Sequence, residues 1–275
     1  MIAFLLGTGY NHDMLIAIFL LAAVVLFYFA YKAKPAPNKT GTTIMPPKQW
    51  NAEKDSLVIG TYNVQSGKDI NGKRDISRSA ELIKNADIVG IQEVYAATWF
   101  GEKSQAEQLA AFSDFGWLFA ATRRRWFREH RGNALLSRKK IHDWSITMLP
   151  DETGKQFRNL ITAKTTLKGK EIAILVTHLH TKKGREVQLK FVLDEFQKHQ
   201  YAILLGDFNT PHTSTMLQAL IEKEEYQDAI LQTCPSHQDK NRIDWIICKG
   251  LVASDGFFEP IGVSDHPYYQ VTLSF

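Results

Sequence analysis

Residues 202–209 read Ala202-Ile203-Leu204-Leu205-Gly206-Asp207-Phe208-Asn209. The opening run of apolar residues is short and continuous, which predicts a strand covered on both faces of a sheet. Asp207 and Asn209 follow two residues apart, so an extended chain points both side chains the same way. Asp and Asn also end strands for the ordinary reason that they form turns, so this segment alone is weak evidence of a functional site.

The same pattern of short apolar runs repeats along the chain and alternates with amphipathic segments. Apolar residues at helical spacing predict helices over 75–85 and 186–199. Short runs rich in Val, Ile and Leu predict strands at Leu57–Asn63, Ile88–Gln92, Trp117–Ala121, Asn133–Leu136, Leu160–Thr165, Ile172–Thr177, Ala202–Leu205, Trp245–Cys248 and Tyr268–Leu273. The alternation predicts a layered α/β domain over residues 56–275.

Polar residues capable of binding metal or phosphate stand at the ends of these strands. They are Asn63, Glu93, His178, Asp207, Asn209, Asp244, Asp265 and His266. Each has an ordinary explanation taken singly: a turn, a solvated surface or a structural histidine. Their recurrence in this order indicates one shared site.

The motifs TYNVQSG, GIQEV, RGNALLSR, THLH, GDFNT, RIDWI and SDHP follow one another between residues 60 and 267. In this order they resemble the endonuclease/exonuclease/phosphatase superfamily, the DNase I-like, metal-dependent phosphoesterases. The resemblance covers Leu57 to Phe275 and implies a four-layer αββα sandwich, two packed mixed β-sheets flanked by helices. The strands and helices predicted from the residues are compatible with that fold.

The resemblance also assigns roles to residues of the site. It implies Glu93 as the principal metal ligand, completed by Asn63 and Asp265, with Mg²⁺ as the cofactor and Mn²⁺ as a possible substitute. Hard divalent cations prefer such oxygen ligands.

The remaining motif residues would carry out the chemistry. By the resemblance, Asp207 orients or deprotonates the attacking water, and Asn209 holds that water or donates to a phosphate oxygen. His178 donates to the phosphate, and Asp244 pairs with His266 and raises its basicity. His180 lies two residues from His178, but no further Cys or His stands at zinc-binding spacing, so His180 is left out of the catalytic set.

Residues 122–131 contain five arginines and two aromatic residues. They could grip a nucleic-acid backbone, contact anionic lipid headgroups, or form a solvated loop between Ala121 and Asn133. Arg125, Asn133 and Arg158 are the candidate substrate-binding residues.

Charge and cysteine content exclude several classes of protein. The formal net charge is +4, but four lysines and one acid precede Asn51, which leaves 29 basic and 28 acidic residues in the body. A balanced body is no argument for a nucleic-acid partner. Cys234 and Cys248 stand 14 residues apart, outside any disulfide framework or zinc motif.

The N-terminal region predicts membrane attachment. Residues 1–13 form a short leading segment, and 14–31 are 18 uncharged residues, enough for a transmembrane helix. Residues 32–55, rich in Pro, Lys and Thr, are expected to be a linker. The lysines follow the apolar run, so the positive-inside rule places the catalytic domain in the cytoplasm of a single-pass protein. The alternative is export by a cleaved signal peptide.

Together these features predict a membrane-anchored, divalent-metal-dependent phosphoesterase that cleaves phosphodiester or phosphomonoester bonds, with an endonuclease as one form of this activity. The alternatives are a phosphatase or phosphodiesterase for lipids or small molecules, and an inactive binding module. The segment before RIDWI is compact compared with apurinic endonuclease-like members, which argues against abasic-site repair. The expected partners are a phosphate-ester substrate, nucleic acid or a lipid or small phosphate, and the membrane. No protein partner can be inferred.

Overall fold

A computed structural model describes residues 12–46, 54–126, 128–154, 156–234 and 241–275. Helices span α1 His12–Tyr31, α2 Ile76–Ile83, α3 Gln105–Ser113, α4 Arg185–Gln197, α5 Thr215–Ile221 and α6 Ala229–Thr233, with a 3₁₀ turn η1 at Gln65–Gly67. Strands span β1 Lys34–Pro35, β2 Lys39–Gly41, β3 Ser56–Asn63, β4 Ile88–Tyr95, β5 Gly116–Arg125, β6 Arg128–Ser137, β7 Asp143–Met148, β8 Asn159–Leu167, β9 Lys170–His178, β10 Ala202–Asp207, β11 Tyr226–Asp228, β12 Asp244–Lys249, β13 Val252–Glu259 and β14 Tyr268–Ser274.

The strands form two mixed sheets that pack face to face. One sheet has the order β1-β5-β6-β4-β3-β14-β13 and the other β11-β12-β10-β9-β8-β7-β2. In each sheet the central pair is parallel, β3 with β4 and β9 with β10, and antiparallel strands flank it. This arrangement confirms the predicted four-layer αββα sandwich.

Three groups of apolar side chains hold the layers together. The largest lies between the sheets and includes Ile59, Val176 and Leu205, all fully buried. A second joins α4 and α5 to one sheet, and a third joins α2 and α3 to the other. The sheets meet closely at Gly90, where an added Cβ would lie 2.1 Å from Cδ1 of Leu205. Close packing of side chains between the sheets gives the central strands fixed positions from which a site can be built.

Every strand predicted from the sequence is present, and both predicted helices lie within a residue or two of their expected ends. The sequence pattern did not reveal β7, β11, β13, α3, α5 or α6. The arginine-rich segment is a β-hairpin in which β5 runs to Arg125 and β6 starts at Arg128, so the solvated-loop alternative is wrong. Main-chain pairing across the hairpin outweighs the charge of its side chains.

The expected linker is also partly structured. Lys34 and Pro35 pair with β5, and Lys39–Gly41 pair with β7, so this segment adds an edge strand to each sheet. Pro35 is tolerated there because an edge strand leaves one row of N–H groups unpaired. Over these residues the segment is tied to the domain and does not hold it at a distance.

Helix α1 leaves almost all of its apolar side chains exposed. Among the described helices it is long and apolar enough to cross a membrane, and a signal sequence would pass the same test. Its C-terminal end touches the domain, where the Trp126 backbone N–H donates to the Ala30 carbonyl at 2.6 Å.

Candidate active site

The polar residues singled out in the sequence meet at one edge of the two sheets. Asn63 ends β3 and His178 ends β9, and both strands belong to parallel pairs whose carboxyl ends lie side by side. Asp207 ends β10 and lies in register with His178 on one side and with Asp244, the first residue of antiparallel β12, on the other. The strand register therefore brings residues from distant parts of the chain together.

Asp207 is the buried centre of this group. Its Oδ2 atom accepts from Asn63 Nδ2 at 3.0 Å and lies 3.3 Å from Nε2 of His178 and 3.7 Å from Nε2 of His266. Its Oδ1 atom accepts from the Asn209 backbone N–H at 2.9 Å. Burial, helped by the charge of Asp244, raises the pKa of Asp207 to about 7. A carboxylate with a pKa near neutrality is suited to accept a proton from water.

Gly206 makes this placement of Asp207 possible. Its φ is 139°, and a Cβ built there would lie 1.9 Å from the carbonyl oxygen of Thr177 in β9. Only glycine can bring β10 this close to β9 in this conformation.

His178 is held in one tautomer by Arg158. Nη1 of Arg158 lies 3.4 Å from Nδ1 of His178, and a guanidinium can only donate, so Nδ1 must be the accepting nitrogen. The proton is therefore on Nε2, which faces Asp207. Burial and the nearby positive charge of Arg158 hold the pKa of His178 well below its usual value. His178 is thus a neutral donor.

His266 has the opposite character. Its Nδ1 atom lies 2.9 Å from Oδ2 of Asp244, the pairing that the resemblance implies. Burial disfavours the charged imidazole, but the hydrogen bond to Asp244 and the negative charge around the ring together outweigh burial and raise the pKa of His266 to about 9. The site therefore holds a neutral and a cationic imidazole on either side of one carboxylate.

Glu93 occupies a β-bulge in β4. The pairing of β4 with β6 shifts register between Ile91 and Val94, and Glu93 has a positive φ of 61°. A bulge re-aims the side chain at this point, a common feature beside active sites. The Glu93 carboxylate forms an ion pair with Arg131, whose Nη2 also donates to Ser66 Oγ at 3.0 Å.

Asn63 and Asp265 are linked through Gln65, a residue that the sequence analysis did not single out. The Gln65 backbone N–H donates to Asn63 Oδ1 at 3.1 Å, and its side-chain Nε2 donates to Asp265 Oδ2 at 2.7 Å. Ser264 Oγ donates to the Asn63 carbonyl at 2.7 Å and fixes the same loop. Gln65 stands within TYNVQSG, so the motif contained the signal although no role was assigned.

A cavity of about 390 Å³ opens beside Glu93 and His178. Its lining includes three arginines, Arg123, Arg131 and Arg158. Asn133 also lines it, so two of the three predicted substrate-binding residues, Asn133 and Arg158, face this cavity. Asn133 Nδ2 donates to Asn159 Oδ1 at 2.9 Å, which fixes its amide. The cavity is therefore positively charged next to the buried carboxylates.

Arg125, the third proposed substrate residue, lies elsewhere. Its guanidinium sits 5.0 Å from the ring of Tyr31 at the end of α1. The register of β5 shifts twice between Ala121 and Arg124, so side-chain alternation could not be extrapolated to the hairpin tip. Arg123 and Arg131 line the cavity in its place.

Asn209 and His180 are both engaged locally. Asn209 Nδ2 donates one of its two hydrogens to the Leu179 carbonyl at 3.0 Å, which leaves its second N–H to donate to a phosphate oxygen and its Oδ1 to accept from a water. His180 Nδ1 accepts from the Lys182 backbone N–H at 2.8 Å. His180 thereby fixes the turn that follows β9.

The match to a family model covers residues 60–266, most of the chain, and its description is the endonuclease/exonuclease/phosphatase family. The chain belongs to this family. Members of the endonuclease/exonuclease/phosphatase family are hydrolases of phosphoester bonds that use a divalent metal.

Solved structures of this family share the fold at low sequence identity. An endonuclease/exonuclease/phosphatase from Beutenbergia cavernae is 20% identical with a TM-score of 0.66, covering 81% of this chain and 72% of the other. TDP2 of D. rerio, complexed with single-strand DNA product, is 16% identical with a TM-score of 0.61, covering 81% and 100%. A mannosyl-6-phosphatase of Bacteroides thetaiotaomicron is 18% identical with a TM-score of 0.59, covering 80% and 100%. A comparison with curated proteins finds no match.

The family's divalent metal fits the residues present. Glu93 and Asp265 offer carboxylate oxygens and Asn63 an amide oxygen, and such hard donors suit a hard cation. Asp207, Asp244 and His266 also bring potential ligand atoms within 4.8 Å of one another. In that second cluster, His266 Nδ1 is already paired with Oδ2 of Asp244 at 2.9 Å.

Proposed function

We propose that this protein is a membrane-anchored, Mg²⁺-dependent phosphoesterase in which Asp207 activates a water for in-line attack on phosphorus. The observation that carries the proposal is the environment of Asp207, a buried carboxylate between Asn63, His178 and His266. Glu93, Asn63 and Asp265 would hold the cation. When bound, the cation would neutralise charge on the phosphoryl and leaving oxygens.

Each neighbour of Asp207 has a distinct task in this reaction. The water oxygen forms a bond to phosphorus and gives its proton to Asp207, while the bond from phosphorus to the leaving oxygen breaks. His178 donates from Nε2 to a phosphoryl oxygen, and cationic His266 stabilises the added negative charge. Preorganised donors of this kind are commonly the largest contribution to catalysis of charged transition states.

The cavity limits the size of substrate that can be enclosed. About 390 Å³ suits one phosphorylated group of the size of a sugar phosphate or a lipid headgroup. Arg123, Arg131 and Arg158 would neutralise the phosphate, since guanidinium groups bind it through paired donors. We therefore propose lipid or small phosphates as the second candidate class beside nucleic-acid phosphodiesters.

Anchoring by α1 belongs to the same proposal. The helix has 20 residues, about 30 Å at the ~1.5 Å rise of an α-helix, which matches the hydrocarbon thickness of a bilayer. We propose that α1 is retained and that the domain lies on the cytoplasmic side, because the lysines that follow α1 favour that side of the membrane.

The test uses the full chain in nonionic detergent with Mg²⁺ and three substrates: supercoiled plasmid, a phosphoinositide and a hexose phosphate. Asp207→Asn is the inactive control, and Asp194→Asn, an exposed acid on α4, is the charge-matched control. We expect hydrolysis of at least one substrate by the wild type and the Asp194 variant, and a loss of at least 10³-fold in the Asp207 variant. Equal rates in the Asp207 variant would contradict the proposal.

A further inference from the structure

The end of α1 and the tip of the β5–β6 hairpin form one continuous surface. The ring of Trp126, at the tip, packs edge-on against Phe27 of α1 with centroids 5.1 Å apart. The backbone N–H of Trp126 donates to the Ala30 carbonyl at 2.6 Å, and the Arg125 guanidinium stacks over the ring of Tyr31. The hairpin tip therefore lies at the C-terminal end of the apolar helix, which is the level of the lipid headgroups if that helix spans the bilayer.

Positive charge is concentrated on this surface. A cavity of about 190 Å³ between the helix and the hairpin is lined by Lys32, Lys34, Arg124 and Arg125, and no acid is among its lining residues within the described chain. We call these four residues and Trp126 the juxtamembrane basic surface. Lys34 and Arg124 are direct cross-strand partners, so two of these cations lie side by side, while Glu129 faces Arg124 from β6 on its other side.

The side chains of this surface have the features of an interfacial site. Arg125 also lines the cavity, and its Nε–H is buried without a hydrogen-bond partner. Trp126, Tyr28 and Tyr31 are partly or largely exposed aromatic residues at the helix end, where amphipathic rings prefer the boundary between lipid and water.

The same hairpin leads to the active site. Arg125 pairs with Arg128 at the tip, and Arg123 pairs with Arg131, which lines the catalytic cavity. Arg128 and Arg131 are three residues apart, about 10 Å along an extended strand. A tip fixed in the headgroup layer would hold the catalytic cavity near the membrane surface.

We infer that the juxtamembrane basic surface binds the headgroups of anionic phospholipids and thereby fixes the orientation of the catalytic domain on the bilayer. The inference goes beyond the proposed phosphoesterase activity and rests on one part of that proposal, the spanning of the membrane by α1. An anionic lipid surface is favoured over a nucleic acid because the cations adjoin the apolar helix. Juxtamembrane basic residues near such a surface each contribute about fivefold to binding.

The experiment places the full chain in nanodiscs of pure phosphatidylcholine or of phosphatidylcholine with 30% phosphatidylglycerol. Hydrogen exchange of the amides in residues 122–131 is followed by mass spectrometry. We expect slower exchange in the anionic discs, a difference that 0.5 M salt removes because it screens exposed charges. Arg124→Gln with Arg125→Gln should abolish this difference in exchange, because each arginine removed weakens binding to the anionic surface by about fivefold.

Two further variants separate electrostatics from damage to the fold. Arg124→Lys with Arg125→Lys keeps the charge and should keep the protection. Lys84→Gln with Lys190→Gln removes two exposed cations, one at the C-terminal end of α2 and one in the middle of α4, and should leave the protection unchanged.

Equal exchange of wild type in both discs would overturn the inference, as would protection that survives in the glutamine variant. A chain that does not incorporate into either disc would overturn it together with the proposed anchor. A short single-stranded DNA that protects the hairpin in neutral discs more strongly than anionic lipid does would overturn it in favour of nucleic-acid binding. The exchange readout does not depend on hydrolysis, so a failed substrate panel leaves this result interpretable.

Discussion

Nη1 of Arg158 lies 3.4 Å from Nδ1 of His178, on the side of the imidazole that faces away from Asp207. Because the guanidinium cannot accept, this contact assigns the proton of His178 to Nε2 and aims it into the site. Arg158 also lines the charged cavity, so in the proposed reaction one side chain would position the neutral donor and add positive charge for the phosphate.

We expect His178→Ala to lower kcat by about 10²–10³-fold, the usual effect of removing a donor from a preorganised anion site. Arg158→Met keeps the approximate length of the side chain but removes its donors, so the proton of His178 is no longer held on Nε2. We expect this variant to lower kcat by about tenfold. Lys190→Met on α4 is the control. Steady-state kinetics on the active substrate measures all three, and a wild-type kcat in the His178 variant would contradict its role.

Glu93→Gln should raise the Mg²⁺ concentration needed for half-maximal activity by at least 10–100-fold, because it replaces a charged oxygen ligand by a neutral one. Its carboxylate also pairs with Arg131, so the variant frees that guanidinium. Glu171→Gln, at the exposed start of β9, is the control. Titration of Mg²⁺ after removal of metal by EDTA gives the result. An unchanged metal requirement would mean that the ligand is another residue.

Most of the fold and the assembly of the site could be predicted from the sequence. Polar residues such as Asn63 and Asp207 come directly after apolar runs, at the ends of strands. Parallel pairing then places these strand ends at one edge. The local pattern was informative here because each of these strands is buried on both faces.

Other features depended on contacts that no local pattern contains. Glu93 is re-aimed by a bulge, and the register of β5 shifts before Arg125, so alternation could not identify which arginines line the cavity. The strand at Lys34–Pro35 forms only because the edge of β5 accepts it. The helices α3, α5 and α6 are short, at 5 to 9 residues, so few turns were available to show a periodic pattern.

The pH dependence of activity should report the pair of His266 and Asp244. The pKa of His266 is about 9, so its cation persists at neutral pH and activity should fall as the pH rises through about 9. Asp244→Asn removes the carboxylate that stabilises the cation, which lowers the pKa of His266 and moves this fall toward neutral pH. Asp207 ionises near pH 7 and sets the acidic limb, so the variant should differ in its alkaline limb, which we expect at least about one pH unit below that of the wild type. The pH profile of kcat measures it, and an alkaline limb at the same pH in both proteins would contradict the assignment.

Gly206→Ala should destabilise the domain strongly. The added Cβ would lie 1.9 Å from the Thr177 carbonyl oxygen, and the φ of 139° is unfavourable for any residue with a Cβ. Backbone strain alone costs about 1–3 kcal/mol, and the displacement of β10 from β9 adds to it, so we expect a loss of more than about 3 kcal/mol in the free energy of unfolding.

The matched control is Gly169→Ala, which has a φ of 73° but no atom within 4 Å of the new Cβ. It carries only the conformational cost of the left-handed region, about 1–2 kcal/mol. Thermal unfolding followed by circular dichroism should therefore show a clearly larger drop in Tm for the Gly206 variant, with its residual activity also reduced because Asp207 moves with Gly206. Equal drops in Tm would mean that β10 can retreat from β9 without cost, and that the close approach of these strands does not position Asp207.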